Sequence, residues 1–197
     1  LAGFDEVVLA TGITPRRVAF PGADHAKVVS YVDVLSGRVN VGARAALIGA
    51  GGIGFDVAEY LTHEGHSSSL DPARWMAEWG VDPTFEARGS LVKPQPEPPA
   101  REVWLLQRSA GKPGARLGKT SGWVHRATLK AKQVKMLGGV EYLGVDDAGL
   151  RIKVDGTEQV LPVDHVVVCA GQEPRRDLQA DLIAAGRTPH LIGGADV

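Results

Sequence analysis

The chain has 197 residues, 44% of them hydrophobic, so it is long enough to bury a core as one large domain or two small ones. Its formal net charge of −1 gives no global positive field that would attract a phosphate backbone, so we expect no nucleic-acid partner. No apolar run approaches the roughly 20 residues that span a bilayer, and the N-terminus lacks the basic and apolar regions of a secretory signal, so we expect no membrane partner.

The cysteine and histidine content argues against a metal centre. Cys169 is the only cysteine, which excludes an intrachain disulfide, an all-cysteine zinc site and a self-contained iron–sulfur cluster. Because Cys169 lies in an apolar strand, we expect a buried, inert thiol. His25, His63 and His66 have no partners at metal-ligand spacing, so we predict no metal. This cysteine usage favours a cytoplasmic protein.

The first half of the chain alternates strand and helix patterns. In chain order the patterns predict a strand, a short helix, a buried strand and an amphipathic helix, over residues 5–10, 29–37, 45–48 and 52–63. A connection rich in proline and glycine separates the first two elements. Because strand-like runs stand close to both termini, we expect the chain to be an excised fragment of a larger protein.

Residues 65–101 differ in character from their surroundings. "LDPARWMAEWG" predicts a short helix with Asp71 as its N-cap, Pro72 at its first position and Gly80 just beyond its end. A proline-rich run, "KPQPEPPAR", then leads back into an apolar strand. We interpret the whole stretch as an insertion at the surface.

The second half predicts a parallel sheet that is completed by antiparallel strands. A strand at residues 102–107 is followed by a loop rich in glycine and basic residues and by a helix that begins near Ser121. Short strands over 139–163, with a tight turn at Asp155-Gly156, predict an antiparallel meander before the buried strand at 166–168. The expected fold class is α/β, Rossmann-like, with a parallel sheet, helices on both faces and a small antiparallel β-meander.

The run "AALIGAGGIGFDVAEYLTHEG", residues 45–65, has the spacing G-x-G-x-x-G between a strand and a helix. The first glycine of such a turn permits the sharp bend, the second lets the backbone approach a pyrophosphate, and the third lets helix and strand pack closely. The helix N-terminus offers free N–H groups to the phosphates. The predicted site comprises Gly49, Gly51, Gly52, Ile53 and Gly54. The alternative is a tight turn that binds nothing.

The residue that ends the second strand distinguishes NAD from NADP. The usual offset of about 20 residues falls near Asp71, which we reject because "GHSSSL" is no strand and Asp71 serves better as a cap. The strand "VWLLQ" ends instead at Gln107-Arg108, without an acid. Lys112, Arg116 and Lys119 follow, and such a cluster could hold a 2′-phosphate, with Arg108 binding it as a fork. We therefore predict NADPH, bound partly by Arg108 and Lys112. The alternative is a solvated basic loop.

Two further strand–glycine runs suggest a family. "VVLATG" ends in Thr11-Gly12, "VVVCAG" ends in Ala170-Gly171, and the chain closes with "IGGADV". With the glycine turn between them, these runs resemble the two-dinucleotide-domain flavoprotein reductases of the glutathione-reductase type. In that family the nicotinamide domain interrupts the FAD domain. The resemblance implies that both runs border the FAD domain and that Asp196 hydrogen-bonds the ribityl chain of FAD, although an alanine precedes that aspartate here.

A narrower resemblance is to bacterial NADPH-dependent 2,4-dienoyl-CoA reductase. It is carried by the glycine turn, the long insertion, "LGKTSGWVHR" at 117–126 and "VCAGQEPRRDL" at 168–178. That family fuses a barrel with FMN and a 4Fe–4S cluster to FAD- and NADPH-binding domains, and hydride passes from NADPH to FAD. The resemblance implies an FAD-domain segment, a connection, an NADPH-binding domain and a returning FAD-domain segment over 1–14, 15–40, 41–175 and 176–197.

Only one glycine fingerprint is present, and the barrel and cluster cysteines are absent. FAD, FMN and 4Fe–4S are therefore implied only for a full-length protein, and we expect this chain alone to be inactive. We predict no catalytic residue. His125 lies near the cofactor cleft by resemblance, but we give it no catalytic role, and we expect Trp123 to pack.

Two rival functions stay open at this point. The chain could be a non-redox ADP-binding module like that of the trimethylamine dehydrogenase type. It could also be an interaction domain that docks a partner through Trp75 and Trp79, which lie four positions apart and so share a helix face. We expect this tryptophan pair to pack against the domain.

Overall fold

A computed structural model describes residues 3–65 and 67–196, so the expectation for His66 lies outside the described residues. The chain forms two compact units, Ala19–Cys169 and a smaller one made of Leu1–Val18 with Ala170–Val197. In the described part of the chain, no helix is long and apolar enough to cross a bilayer. The domain boundaries that the sequence suggested stay predictions.

The larger unit alternates strands and helices along most of its length. Its elements are, in chain order, β3 (Val28–Ser30), α1 (Tyr31–Leu35), β4 (Arg44–Ile48), α2 (Gly52–Thr62), α3 (Pro72–Trp79), β5 (Glu102–Leu106), α4 (Gly122–Ala131), β6 (Lys135–Leu137), β7 (Glu141–Asp146), β8 (Gly149–Val154), β9 (Thr157–Leu161) and β10 (His165–Val168).

Five of these strands form one parallel sheet in the order β3-β10-β4-β5-β6. The central strand β4 pairs Ala45 with Val103 of β5 and Ala46 with Val166 of β10. Parallel strands that are covered on both faces are continuously apolar, which explains the run Ala45–Ile48. The predicted α/β fold with a parallel sheet is confirmed.

A hydrophobic core lies between this sheet and its helices. Alternate strand residues such as Leu47, Leu105 and Val167 point to one face, where Phe55 of α2 and Leu129 of α4 pack against them, all fully buried. Val34 of α1 belongs to the same cluster. The helices that enter this core therefore share one face of the sheet, which differs from the expected placement on both faces.

The remaining strands form the antiparallel sheet β7-β8-β9. Its strands β8 and β9 are joined at Asp155 and Gly156, both of which have positive φ, 50° and 80°. That pair of angles is typical of a type I′ hairpin, so the predicted tight turn is confirmed.

The insertion contains the predicted capped helix α3. The Asp71 carboxylate accepts hydrogen bonds from the N–H groups of Ala73 (3.1 Å) and Arg74 (3.2 Å). Pro72 stands at the start of the helix, and Gly80 ends it in the left-handed conformation, with φ 70°. Asp71, Pro72 and Gly80 thus have the predicted roles.

The two tryptophans of α3 have different surroundings. Their ring centroids lie 6.1 Å apart. Trp79 lines a cavity of about 220 Å³ together with Ala127 and Ala131 of α4. Trp75 is 43% exposed. Trp79 is half-buried, whereas the expected packing of Trp75 against the domain is wrong.

One element differs from the sequence-based expectation. The pattern predicted a helix over 29–37, whereas Val28–Ser30 form strand β3 and helix α1 begins only at Tyr31. Strand β3 pairs with β10, with Val28 opposite Val166. This pairing joins residues far apart in sequence, so no local pattern could predict it.

The smaller unit consists of short elements. They are β1 (Val8–Leu9), β2 (Ile13–Pro15), β11 (Gln172–Pro174), α5 (Gln179–Ala184) and β12 (His190–Leu191). Strands β1 and β12 pair in parallel, and β2 and β11 pair antiparallel.

Candidate nucleotide-binding site

The glycine turn joins the end of β4 to the start of α2. Gly49 has a φ of 114°, a region that favours glycine, and its N–H donates to the carbonyl of Leu106 at 2.8 Å. A Cβ atom on Gly54 would lie 1.8 Å from the carbonyl oxygen of Gly49, so helix and strand approach too closely for any side chain. The first and third glycines are therefore required by the fold itself.

Gly51 and Gly52 differ from the other two. A Cβ atom on either would have open space around it, since the described chain places no heavy atom within 4 Å. Gly51 is the N-cap of α2, no side chain bonds the helix start, and the first turn carries no acid. The N–H groups of the first turn are thus open to an external acceptor beside a backbone without side chains. This cradle fits a pyrophosphate.

The loop after β5 carries four exposed basic residues, Arg108, Lys112, Arg116 and Lys119. None of them forms an ion pair within residues 3–65 and 67–196. Four cations without internal counter-charges can bind an external anion. No acidic side chain follows β5 where the ribose of NAD is usually held, because Gln107 stands at this position.

Arg108 lies near the hydroxyl of Tyr142 on β7. Burial raises the pKa of the Tyr142 hydroxyl well above its ordinary value, and the positive charge of Arg108 opposes that rise. The hydroxyl oxygen is buried, and no hydrogen-bond partner for it is found in the described part of the chain. The sequence carried no signal for this neighbour.

The basic loop is tied to helix α2. A Cβ atom on Gly114 would lie 2.5 Å from the ring of Phe55, so the loop backbone packs directly on this core residue. Arg126 of α4 also donates to the carbonyl of Gly114, at 2.9 Å. The cations and the start of α2 therefore belong to one packed region of the larger unit.

The structure shows the contacts or burial of three further residues that carried a sequence-based expectation. The Nδ1 atom of His125 lies 2.8 Å from the Glu59 carboxylate, so His125 links α4 to α2. Trp123 is 59% exposed, and the expectation that it packs is wrong. Cys169 is buried, as expected, and burial raises the pKa of its thiol to about 12.

The smaller unit holds the remaining predicted residues. The Thr11 hydroxyl donates to the carbonyl of Arg175, whose own N–H donates to the carbonyl of Gly12 at 3.0 Å. Gly12 has a φ of 76° and Gly171 a φ of 83°. The carbonyl of Gly171, which follows Ala170, accepts from the Arg16 N–H at 3.2 Å.

The closing "GGAD" run packs against Gly12. A Cβ atom on Gly194 would lie 3.1 Å from the carbonyl carbon of Gly12 and 2.6 Å from Ile13. Arg176 donates to the carbonyls of Ala195 (2.6 Å) and Asp196 (2.8 Å), which fixes this turn. The Asp196 side chain is exposed. The first strand–glycine run and the return motif are thus neighbours in the folded chain.

A family model described as Pyridine nucleotide-disulphide oxidoreductase matches residues 2–188. The chain belongs to this family. Members of the pyridine nucleotide-disulphide oxidoreductase family are flavin- and NAD(P)-dependent oxidoreductases, which agrees with the glycine turn and the two strand–glycine runs. Among the residues that the structure describes, no group of three histidine, cysteine or acidic side chains is placed to hold a metal ion.

Similar proteins are much longer than this pyridine nucleotide-disulphide oxidoreductase chain. A metal reductase of Desulforamulus reducens is 27% identical over 98% of this chain and 28% of its own length. A cinnamate reductase of Clostridium sporogenes is 48% identical over 68 residues, 34% of this chain and 10% of that protein. A solved structure of 2-naphthoyl-CoA reductase with 2-naphthoyl-CoA shares the fold, with a TM-score of 0.66 and 22% identity over 98% of this chain and 24% of that one.

Proposed function

We propose that the larger unit binds NADPH and positions it for hydride transfer to FAD, within a longer, cytoplasmic protein that reduces 2,4-dienoyl-CoA. The observation that carries the proposal is the pair of features at the ends of β4 and β5. One is an open helix start behind side-chain-free residues, and the other is a cationic loop without an acid. The first suits a diphosphate, and the second suits a 2′-phosphate.

The proposed site assigns each group a simple role. The N–H groups of Gly52, Ile53 and Gly54 hold the pyrophosphate, while Gly51 leaves room for it, and Gly49 makes the turn. Arg108 and Lys112 hold the 2′-phosphate by charge-assisted hydrogen bonds. NADPH, when bound, supplies the hydride. The protein's contribution is binding and orientation.

The flavin and the substrate class rest on the family and the resemblance. The proposed FAD contacts are Thr11, Gly12, Ala170, Gly171 and Asp196. FMN, the 4Fe–4S cluster and the barrel are proposed for the longer protein alone. The name of one relative, a cinnamate reductase, supports a conjugated unsaturated acyl substrate, since cinnamate is also a conjugated unsaturated acid.

The test is a calorimetric titration of the chain with NADPH, NADH and ADP. We expect NADPH to bind more tightly than NADH, and Arg108→Ala to remove roughly 1.5–3 kcal/mol of that preference, because it deletes a charge-assisted hydrogen bond. Arg88→Ala is the matched control, because Arg88 is an exposed arginine of the insertion. Equal affinity for NADPH and NADH in the wild type would refute the proposal, and ADP binding as tight as NADPH binding would favour the ADP module.

A further inference from the structure

Gln107 stands at the end of β5, immediately before Arg108, and its backbone is fixed from both sides. Its N–H donates to the carbonyl of Leu137 at 2.9 Å, and its carbonyl accepts from the N–H of Val140 at 3.0 Å. These bonds tie the end of β5 to the end of β6 and to the segment that follows it.

The side chain of Gln107 bonds the turn that follows. Its Nε2 atom donates to the carbonyl of Ser109 at 3.0 Å and to that of Gly111 at 3.2 Å. The Ser109 carbonyl also accepts from the N–H of Gly139 at 2.9 Å. The amide group therefore holds both carbonyls of the turn, and Arg108, between them and Gln107 in sequence, is exposed.

A second contact acts on the same turn. A Cβ atom on Gly138 would lie 2.1 Å from the carbonyl oxygen of Gly111. The turn thus packs against a backbone that accepts no side chain. The Gln107 amide and the bare backbone of Gly138 meet at this turn, since the same Cβ atom would lie 3.4 Å from Gln107 Nε2.

The chemistry of the amide suits this place. A carboxylate here would be an acceptor facing two carbonyl oxygens, and it would neutralise Arg108 and repel a phosphate. A glutamine supplies two N–H donors and no charge. The Arg108 guanidinium makes no ion pair within the described chain, so its charge stays available to an external anion.

We propose that Gln107 is a positioning residue for recognition of a ribose 2′-phosphate: its amide clamps the turn over 108–111 and so holds the Arg108 guanidinium where it meets that phosphate. The inference rests on the proposed NADPH function and deepens it. Gln107 acts through Arg108 and touches neither the phosphate nor the nicotinamide. Preorganising a charged group in this way removes an ordering cost from binding.

The experiment uses two probes that differ only in the 2′-phosphate, adenosine 2′,5′-bisphosphate and AMP, titrated into the chain by calorimetry. We expect Gln107→Met, which keeps the length and loses both donors, to reduce the affinity ratio of the two probes about tenfold. AMP binding should stay within about twofold, because a general loss of structure would weaken both probes alike. Gln159→Met, at an exposed position on β9, is the control.

Two further variants make the test decisive. Gly138→Ala should lower the same ratio, since its Cβ atom would lie 2.1 Å from the Gly111 carbonyl oxygen and 3.4 Å from Gln107 Nε2, and so would disturb both the turn and the amide that holds it. In the double variant with Arg108→Ala and Gln107→Met, the affinity ratio should fall no further than in Arg108→Ala alone. Gln107 acts through Arg108, so it has no effect on the ratio once Arg108 is absent.

The outcomes separate the two proposals. If the wild type binds adenosine 2′,5′-bisphosphate and AMP with similar affinity, the proposed NADPH function is refuted. A large wild-type ratio that Arg108→Ala abolishes, but that Gln107→Met and Gly138→Ala both leave intact, overturns the positioning role while the proposed function stands. Additive losses in the double variant also overturn it.

Discussion

Helices α2 and α3 begin in opposite ways. At α3 the Asp71 carboxylate accepts from two N–H groups of the first turn, so the helix start is satisfied from within. At α2 the cap is Gly51, no side chain bonds the first turn, and open space surrounds the positions where Cβ atoms would stand. The same four free donors exist at every helix start. The start of α3 is satisfied within the chain, and the start of α2 is open to an external acceptor.

The difference separates stability from binding. An internal carboxylate stabilises a helix but occupies the positive end of its dipole. A glycine cap gives nearly as much stability as an acid and leaves the N–H groups free. The start of α3 is thus capped within the fold, whereas the proposed function assigns an anion to the open start of α2. Substitutions at the two helix starts should therefore have distinct consequences.

The largest effect is expected at Gly54. Gly54→Ala places a Cβ atom 1.8 Å from the Gly49 carbonyl, which requires the helix to move away from the strand. We expect a loss of about 3 kcal/mol or more in the free energy of unfolding, measured by urea denaturation. Wild-type stability in this variant would show that α2 does not pack on β4 as described.

Gly51→Asp would convert the start of α2 into a start like that of α3. We expect the free energy of unfolding to stay equal or rise by a few tenths of a kcal/mol, since Asp is a good N-cap. The affinity for NADPH should fall at least about a hundredfold, because the new carboxylate competes for the N–H groups and repels the diphosphate. Denaturation and calorimetry on one preparation measure both, and unchanged affinity would remove the phosphate role from α2.

Asp71→Ala removes the cap of α3 and should cost about 1 kcal/mol in the free energy of unfolding. The affinity for NADPH should not change, since the cap serves only the helix in the insertion. Asp71→Ala should therefore lower stability and keep the NADPH affinity, whereas Gly51→Asp should keep stability and lower the affinity. A weakened NADPH affinity here would contradict the division between the two helix starts.

The smallest effect concerns Asp82, a buried carboxylate that accepts hydrogen bonds within a loop of the insertion. Hydrogen bonds from the Thr84 hydroxyl and from the N–H groups of Ala87 and Thr84 lower the pKa of Asp82 from 3.8 to about 2. A lowered pKa adds stability that is complete above the unfolded value and is lost as pH falls toward about 2.

The melting temperature of wild type should therefore exceed that of Asp82→Asn above about pH 4, and this difference should shrink as pH falls to about 2. Calorimetric melts across this range measure it. A difference that does not depend on pH would show that the Asp82 charge is not what stabilises the loop.

The comparison of the two helix starts also shows which features local sequence signals can predict. The sequence predicted α3 from Asp71, Pro72 and Gly80, and it predicted a hairpin from Asp155-Gly156. Both predictions were possible because each signal lies within a few residues of the structure that it produces. The glycine spacing at 49–54 was equally local. Patterns of this kind depend on backbone angles and N–H groups that belong to residues close together in sequence.

What the sequence left open depended on partners far along the chain. Val28–Ser30 form a strand because they pair with β10. Helices α1, α2 and α4 lie on one face of the sheet, where their apolar side chains share one core. The turn after Arg108 is shaped by Gln107 together with Gly138 and Gly139, from beyond the next strand. The sequence by itself determined that a glycine turn exists and that cations follow β5. Only tertiary structure decided how those cations are held, because contacts across long separations are made by folding and leave no local pattern.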